Sequence, residues 1–224
     1  MFFRDRSDAG RRLAKALAQF KVEDVVVLAL PRGGVPVGAE VAEALGAPLD
    51  LMLVRKIGAP FHQELAMGAV AEGDPPVVVR NEDVIAMLGI DEASFQRVLE
   101  TELAEMARRR AAYLSGRASA EVAGRIAIVV DDGVATGATT RAALRAVRAR
   151  RPKRLVLAVP VAEAEVQSAL RREADEIICL EDHLVWGGIG PCYDDFRQIS
   201  DAEVTEALAR FPPSAPPAAT PLSR

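Results

Sequence analysis

Aromatic residues are scarce in this chain. One Trp, two Tyr and seven Phe among 224 residues leave any core to Val, Leu, Ile and Ala, because half of all residues are hydrophobic. Cysteine is scarcer still. Cys179 and Cys192 show neither metal-ligand nor CxxC spacing, which argues against a zinc site or a disulfide. Cys179 falls in an apolar run and is expected to be a small core residue. The two histidines, His62 and His183, have no partner at metal or triad spacing and are expected to be ordinary polar residues. No apolar run approaches bilayer length, and Met1-Phe2-Phe3 meets Arg4 at once, so no leader or membrane span is expected and the cytoplasm is the default. Excess positive charge is missing as well. A net charge of −4 argues against sequence-blind nucleic-acid binding, although a local basic pocket could still hold a polyanion.

What is present is concentrated between Arg125 and Thr140. Residues 126–130 form a short β-branched run, as expected of a strand buried on both faces. Asp131 and Asp132 close it, residues 133–137 make a small-residue loop, and 138–149 read as a helix with Leu144 and Val147 facing inward. A strand, a small-residue loop and a helix N-terminus together make an anion site, because unpaired backbone N–H groups and the helix dipole both point at the ligand. Thr136, Thr139 and Thr140 add hydroxyls to that cradle, beside Ala135, Gly137 and Ala138. The adjacent carboxylates are placed to bind hydroxyls or a metal held near the phosphate.

Two common phosphate sites are excluded by spacing. A P-loop needs a Lys that is absent between Gly133 and Thr140, and no Gly-x-Gly-x-x-Gly follows the strand. The pattern Asp-Asp-x-x-x-Thr-Gly-x-Thr resembles instead the phosphoribosyl pyrophosphate (PRPP) loop of type I phosphoribosyltransferases. The resemblance implies that Asp131 and Asp132 hold the ribose hydroxyls and that 135–140 hold the 5-phosphate. An ordinary strand–helix turn with capping acids is the plainer alternative.

In chain order, Ser7 caps a helix to about Phe20, and 24–30 is a strand ending in Pro31-Arg32-Gly33-Gly34. A helix follows over 36–45, with Gly46 as its stop. A second strand over 49–54 ends in Arg55-Lys56, and strand–helix–strand with short links indicates a parallel βαβ unit. Residues 57–63 show no period and read as a loop; 65–72 and 77–80 read as a hairpin. Asn81 caps a short helix and Asp91 a long one to about Leu114, with Phe95, Val98, Leu99, Leu103 and Met106 as its apolar stripe. Arg108, Arg109 and Arg110 fall on successive faces, as on a solvated surface. Strands over 154–161 and 176–180 flank a helix over 164–172, residues 181–199 are irregular, and Ser200 or Asp201 caps a last helix. The Pro/Ala/Ser-rich stretch 211–224 is expected to be a disordered tail.

The expected fold is α/β: a mainly parallel sheet flanked by helices in one domain over 1–210, with a hairpin and helical insertion at about 60–120 and a small hood at about 181–199. Arg32, Gly33 and Gly34 share the strand-end edge with Asp131, where open α/β sheets bind ligands. The resemblance implies that this loop grips pyrophosphate, and that Arg32 and Lys56, with Arg55, offset its charge as it leaves. Residues 57–72 also resemble a segment of a bacterial group of predicted phosphoribosyltransferases, as do Phe2-Phe3-Arg4-Asp5-Arg6 and Tyr193-x-Asp195-Phe196. The implied reaction moves a 5-phosphoribosyl group from PRPP to a nitrogenous acceptor, with Mg²⁺ carried by PRPP and touched by Asp131 or Asp132, in a homodimer. Trp186, Tyr193, Asp194 and Asp195 are hood candidates, with packing under a loop as the alternative for Trp186. Purine-salvage members carry Asp just before Thr-Gly, where this chain has Ala135. A PRPP- or nucleotide-binding regulator without turnover is the first rival. A phosphatase is disfavoured because its acids are set two apart, as Asp-x-Asp.

Overall fold

The computed structural model describes residues 2–183 and 188–211. Five parallel strands form the main sheet in the order β2-β1-β6-β7-β8: β1 (Val25–Ala29), β2 (Leu49–Leu51), β6 (Ile126–Val130), β7 (Arg154–Val161) and β8 (Glu176–Glu181). Every residue of β1 and β6 is buried, so both strands read as unbroken apolar runs rather than alternating ones. Alternation appears instead in what each side chain meets. Val25, Val27 and Ala29 join one core cluster; Val26 and Leu28 join the other.

The first cluster is covered by α1 (Arg6–Ala16), α2 (Gly34–Leu45) and α7 (Asp201–Ala209), and the second by α5 (Ala138–Ala149), with α6 (Ala164–Leu170) at its margin. Helix boundaries follow their caps. Asp5, not Ser7, caps α1 by accepting from the Asp8 N–H, and α1 ends at Ala16 before a 3₁₀ turn over Ala18–Phe20 that buries Phe20. Gly46 ends α2 in the left-handed conformation, and Ser200 with Glu203 forms a capping box on α7.

The second strand stops earlier than its sequence suggests. β2 ends at Leu51, and the chain crosses into a separate antiparallel sheet of order β3-β4-β5, made of β3 (Val54–Ala59), β4 (His62–Ala71) and β5 (Val77–Arg80). Residues 57–63, expected as a loop, are mostly strand. Their pairing is with β4, and a register shift around Ile57 and Gly58 erases the period that a single strand would show. The hairpin around Gly73 is as expected, with β4 and β5 antiparallel. One face of this sheet, carrying Ala69, Ala71 and Val79, packs with α5 residues. The other, carrying Ile57, Met67 and Val70, meets α3 (Glu82–Met87) and α4 (Glu92–Leu114) through Ile85, Phe95 and Leu99. Asn81 and Asp91 cap those two helices.

Arg108 and Arg109 are not simply solvated: both bond Glu105, and Arg110 pairs with Glu72. Cys179 is only half-buried, on the outermost strand, and both cysteines are free. Among the described residues no helix is long and apolar enough to cross a membrane. Of the tail expected over 211–224, residues 212–224 lie outside the described residues.

Candidate active site

Taken in chain order, the parallel strands run 2-1-3-4-5, so the direction of winding reverses between β1 and β6. A crevice opens outside the carboxyl ends of the two strands at such a reversal. Their ends are held level, since the Leu30 N–H donates to the Val130 carbonyl at 2.8 Å. Pro31-Arg32-Gly33-Gly34 leaves one strand there and Asp131-Asp132 leaves the other.

The two loops press together so closely that glycine is required. A Cβ on Gly33 would lie 2.0 Å from Asp132 Oδ2, and one on Gly34 would lie 2.7 Å from the Val130 carbonyl oxygen. The Pro31–Arg32 peptide bond is cis. Beyond the acids, Val134 is anchored by its N–H to the Val161 carbonyl at 2.9 Å. Gly137 then starts α5 with φ 77°, a conformation that opposes any side chain. The first N–H groups of α5 have no intrahelical acceptor and face the loop mouth, as helix geometry requires. Ala135 and Thr136 are exposed there, Ala138 and Thr139 are half-buried, and Thr140 is buried within the first turn.

The paired acids differ. Asp132 is buried, and its Oδ2 accepts from Arg6 Nε at 2.7 Å. Asp131 is half-buried, and its Oδ1 accepts the Asp132 N–H at 2.9 Å. Burial raises the pKa of both, and the Asp132 charge raises Asp131 further, whereas Arg6 opposes the rise on Asp132.

Arg32 is tethered rather than loose. Its Nη1 reaches Asp201 Oδ1 at 3.3 Å, at the start of α7. The same oxygen accepts from the Tyr113 hydroxyl at 2.5 Å, and Arg108 stands 3.8 Å from the other. Those bonds, Tyr113 first and Arg32 after it, hold the Asp201 carboxyl below the usual range.

Other expectations need correction. Arg55 and Lys56 do not end a parallel strand; they lie within β3 and point to opposite faces. Arg55 pairs with Val70 on the side facing α4, where its Nε donates to Glu102 at 2.7 Å. Lys56 pairs with Ala69, on the side that packs with α5. The hairpin and α4 also border an open cavity of about 1000 Å³ whose lining includes both Arg55 and Lys56, with Phe61, His62 and Arg97. Tyr193 is no flat lid. It is 3% exposed, it stacks between Phe3 and Phe196, and its hydroxyl donates to the Asp132 carbonyl at 2.6 Å. Asp194 and Asp195 are exposed. Trp186, the remaining hood candidate, lies outside the described residues.

The match to known proteins is decided over most of the chain. A family model described as a phosphoribosyl transferase domain matches residues 6–195. The chain belongs to the phosphoribosyl transferase family. A crystal structure of the Thermus thermophilus protein TT1426 superposes with a TM-score of 0.78 at 41% identity, covering 95% of this chain and all of that one. Two Mycobacterium tuberculosis proteins, each named "Putative phosphoribosyl transferase", are 46% identical over 208 residues, or 93% of this chain. That alignment takes in 46% of each, so the chain spans about half the length of the curated relatives it matches. The family's expected α/β fold is the one found. Sequence reading missed Arg6, Tyr113 and Asp201 as neighbours of the phosphoribosyl transferase loops. Each reaches the site from far along the chain, and only the resemblance of 2–6 to a bacterial group set Arg6 apart.

Proposed function

We propose that the chain transfers a 5-phosphoribosyl group from PRPP to a nitrogenous acceptor. The bond between ribose C1 and pyrophosphate oxygen breaks, a bond from C1 to the acceptor nitrogen forms, and the acceptor gives up a proton. The observation that carries this reading is the meeting, at one switch point, of a double-glycine loop with an acid pair and a glycine-started helix. The N-terminus of α5, with Thr136 and Thr139, suits the 5-phosphate. Asp131 suits the ribose hydroxyls, and the backbone of Arg32, Gly33 and Gly34 suits pyrophosphate. Lys56, on the α5-facing side of β3, would add positive charge where the leaving group gathers negative charge.

Asp131 offers hard carboxylate oxygen, which fits Mg²⁺. No cluster of three His, Cys, Asp or Glu that could hold a metal occurs among the described residues, so most ligands would come from PRPP itself. When bound, the ion would offset charge on the phosphates. We further propose one domain over about 1–210, acting as a homodimer. A panel of nitrogenous acceptors with labelled PRPP and Mg²⁺ tests the reaction: acceptor-dependent release of pyrophosphate supports it. Tight PRPP binding without release for any acceptor would favour a regulator.

A further inference from the structure

Arg6 lies 126 positions from Asp132 in sequence, yet the two form a buried ion pair, with Nε and Oδ2 2.7 Å apart. The rest of the guanidinium is used as well. Its Nη1–H donates to the Arg197 carbonyl at 2.9 Å, and its carbon stands 3.9 Å from the centre of the Phe196 ring. The segment holding Phe196 is stitched to the N-terminus: the Asp194 and Asp195 N–H groups donate to the Phe3 and Arg4 carbonyls at 2.9 and 2.8 Å. Tyr193 closes the same clamp on the main chain of Asp132. Burying two charges costs desolvation that packing hydrophobic residues would avoid, so the pair is poor value as a source of stability alone. What it does achieve is geometric. One carboxylate of the acid pair is held by a guanidinium that is itself fixed on three sides, by Asp132, the Arg197 carbonyl and the Phe196 ring, while the neighbouring Asp131 stays half-exposed.

We propose that Arg6 is a positioning residue for the sugar subsite. By occupying Oδ2 of Asp132, it turns that carboxylate inward and leaves Asp131 as the acid that meets the ribose hydroxyls. This rests on the reading that the site takes PRPP.

The test compares ribose 5-phosphate and PRPP with inorganic phosphate, by calorimetry, on variants whose fold is checked by circular dichroism. Arg6→Met should weaken both sugar ligands by about tenfold or more, while inorganic phosphate changes less than about twofold. Arg6→Lys, which keeps the charge but loses the fork, should fall between Arg6→Met and wild type. Adding Asp132→Asn to Arg6→Met should cost nothing more for the sugar ligands, whereas adding Asp131→Asn should give an additive loss. Unchanged sugar affinity in the Arg6 variants, or equal losses for all three ligands, would overturn the inference and leave Arg6 as a structural staple. If Arg6→Met fails to fold, the same criteria apply to Arg6→Lys. A wild-type protein that binds PRPP but shows no split sinks this inference alone. One that binds no PRPP sinks the proposed function with it.

Discussion

At the scale of single residues, the site turns on how little room two loops leave each other and on what each small residue omits. Ala135 is the instructive omission. Its methyl group is exposed at the mouth of the loop and can neither give nor take a proton. Acid–base help is typically worth about 10²–10⁴-fold, so an enzyme for hypoxanthine or guanine would be poorly served here. Steady-state assays should therefore show little or no IMP or GMP; formation at rates ordinary for an enzyme would refute the argument from Ala135. Asp131 makes the complementary case. Asp131→Asn should lower PRPP affinity about tenfold or more, the worth of one or two charge-assisted bonds, and leave inorganic phosphate nearly unchanged. Equal losses in calorimetry would mean that the acid only supports the loop. The glycines and the acid pair were legible in the sequence because strand, loop and helix are contiguous. Arg6 was not, because nothing local marks a residue whose partner lies 126 positions away.

At the scale of elements, the junction of α4, α7 and the Arg32 loop holds the site to the body of the protein. Tyr113 on α4 and Arg32 meet at Asp201, the first residue of α7. Burial, then the bond to Asp201, pushes the Tyr113 hydroxyl up to about 12. A raised folded-state pKa favours the protonated phenol. Its contribution to stability is therefore whole below the ordinary tyrosine value of about 10 and is lost as pH climbs towards 12. Tyr113→Phe should cost about 1 kcal/mol near neutrality, or roughly 2–4 °C in Tm for a chain of this size. It should also flatten the alkaline fall in stability. Thermal melts across that pH range would contradict the account if the variant lost stability with the wild-type slope. Elements were read well where a cap or an unbroken apolar run marked them, as with Asp91 before α4 and the run of β6. The crossing at Met52 and Leu53 was hidden, because the apolar residues of β2 continue straight into the second sheet. The sequence of β3 likewise could not show which face of the second sheet Arg55 and Lys56 each take, since that depends on their pairing with Val70 and Ala69.

At the scale of the whole molecule, the proposed anion site of an acidic chain rests on backbone N–H groups and a few cations, so net charge says little about its ligand. Winding order explains why residues from 31–34 and 131–140 meet: the reversal between β1 and β6 opens a crevice at the carboxyl ends of that pair of strands. The expected homodimer should sediment at twice the chain mass of 23.9 kDa, and a single-chain mass across a wide concentration range would contradict it. The central claim is that this crevice is a PRPP site, and titration calorimetry of PRPP with Mg²⁺ tests it most directly, on wild type and on Gly137→Val. The variant strains a φ of 77° and brings a side chain against Val166 and Leu170, at the buried start of α5 that borders the cradle. The account predicts saturable binding to the wild type and loss of it, by about tenfold or more, in a variant that stays folded. Equal PRPP affinity in both proteins would contradict it.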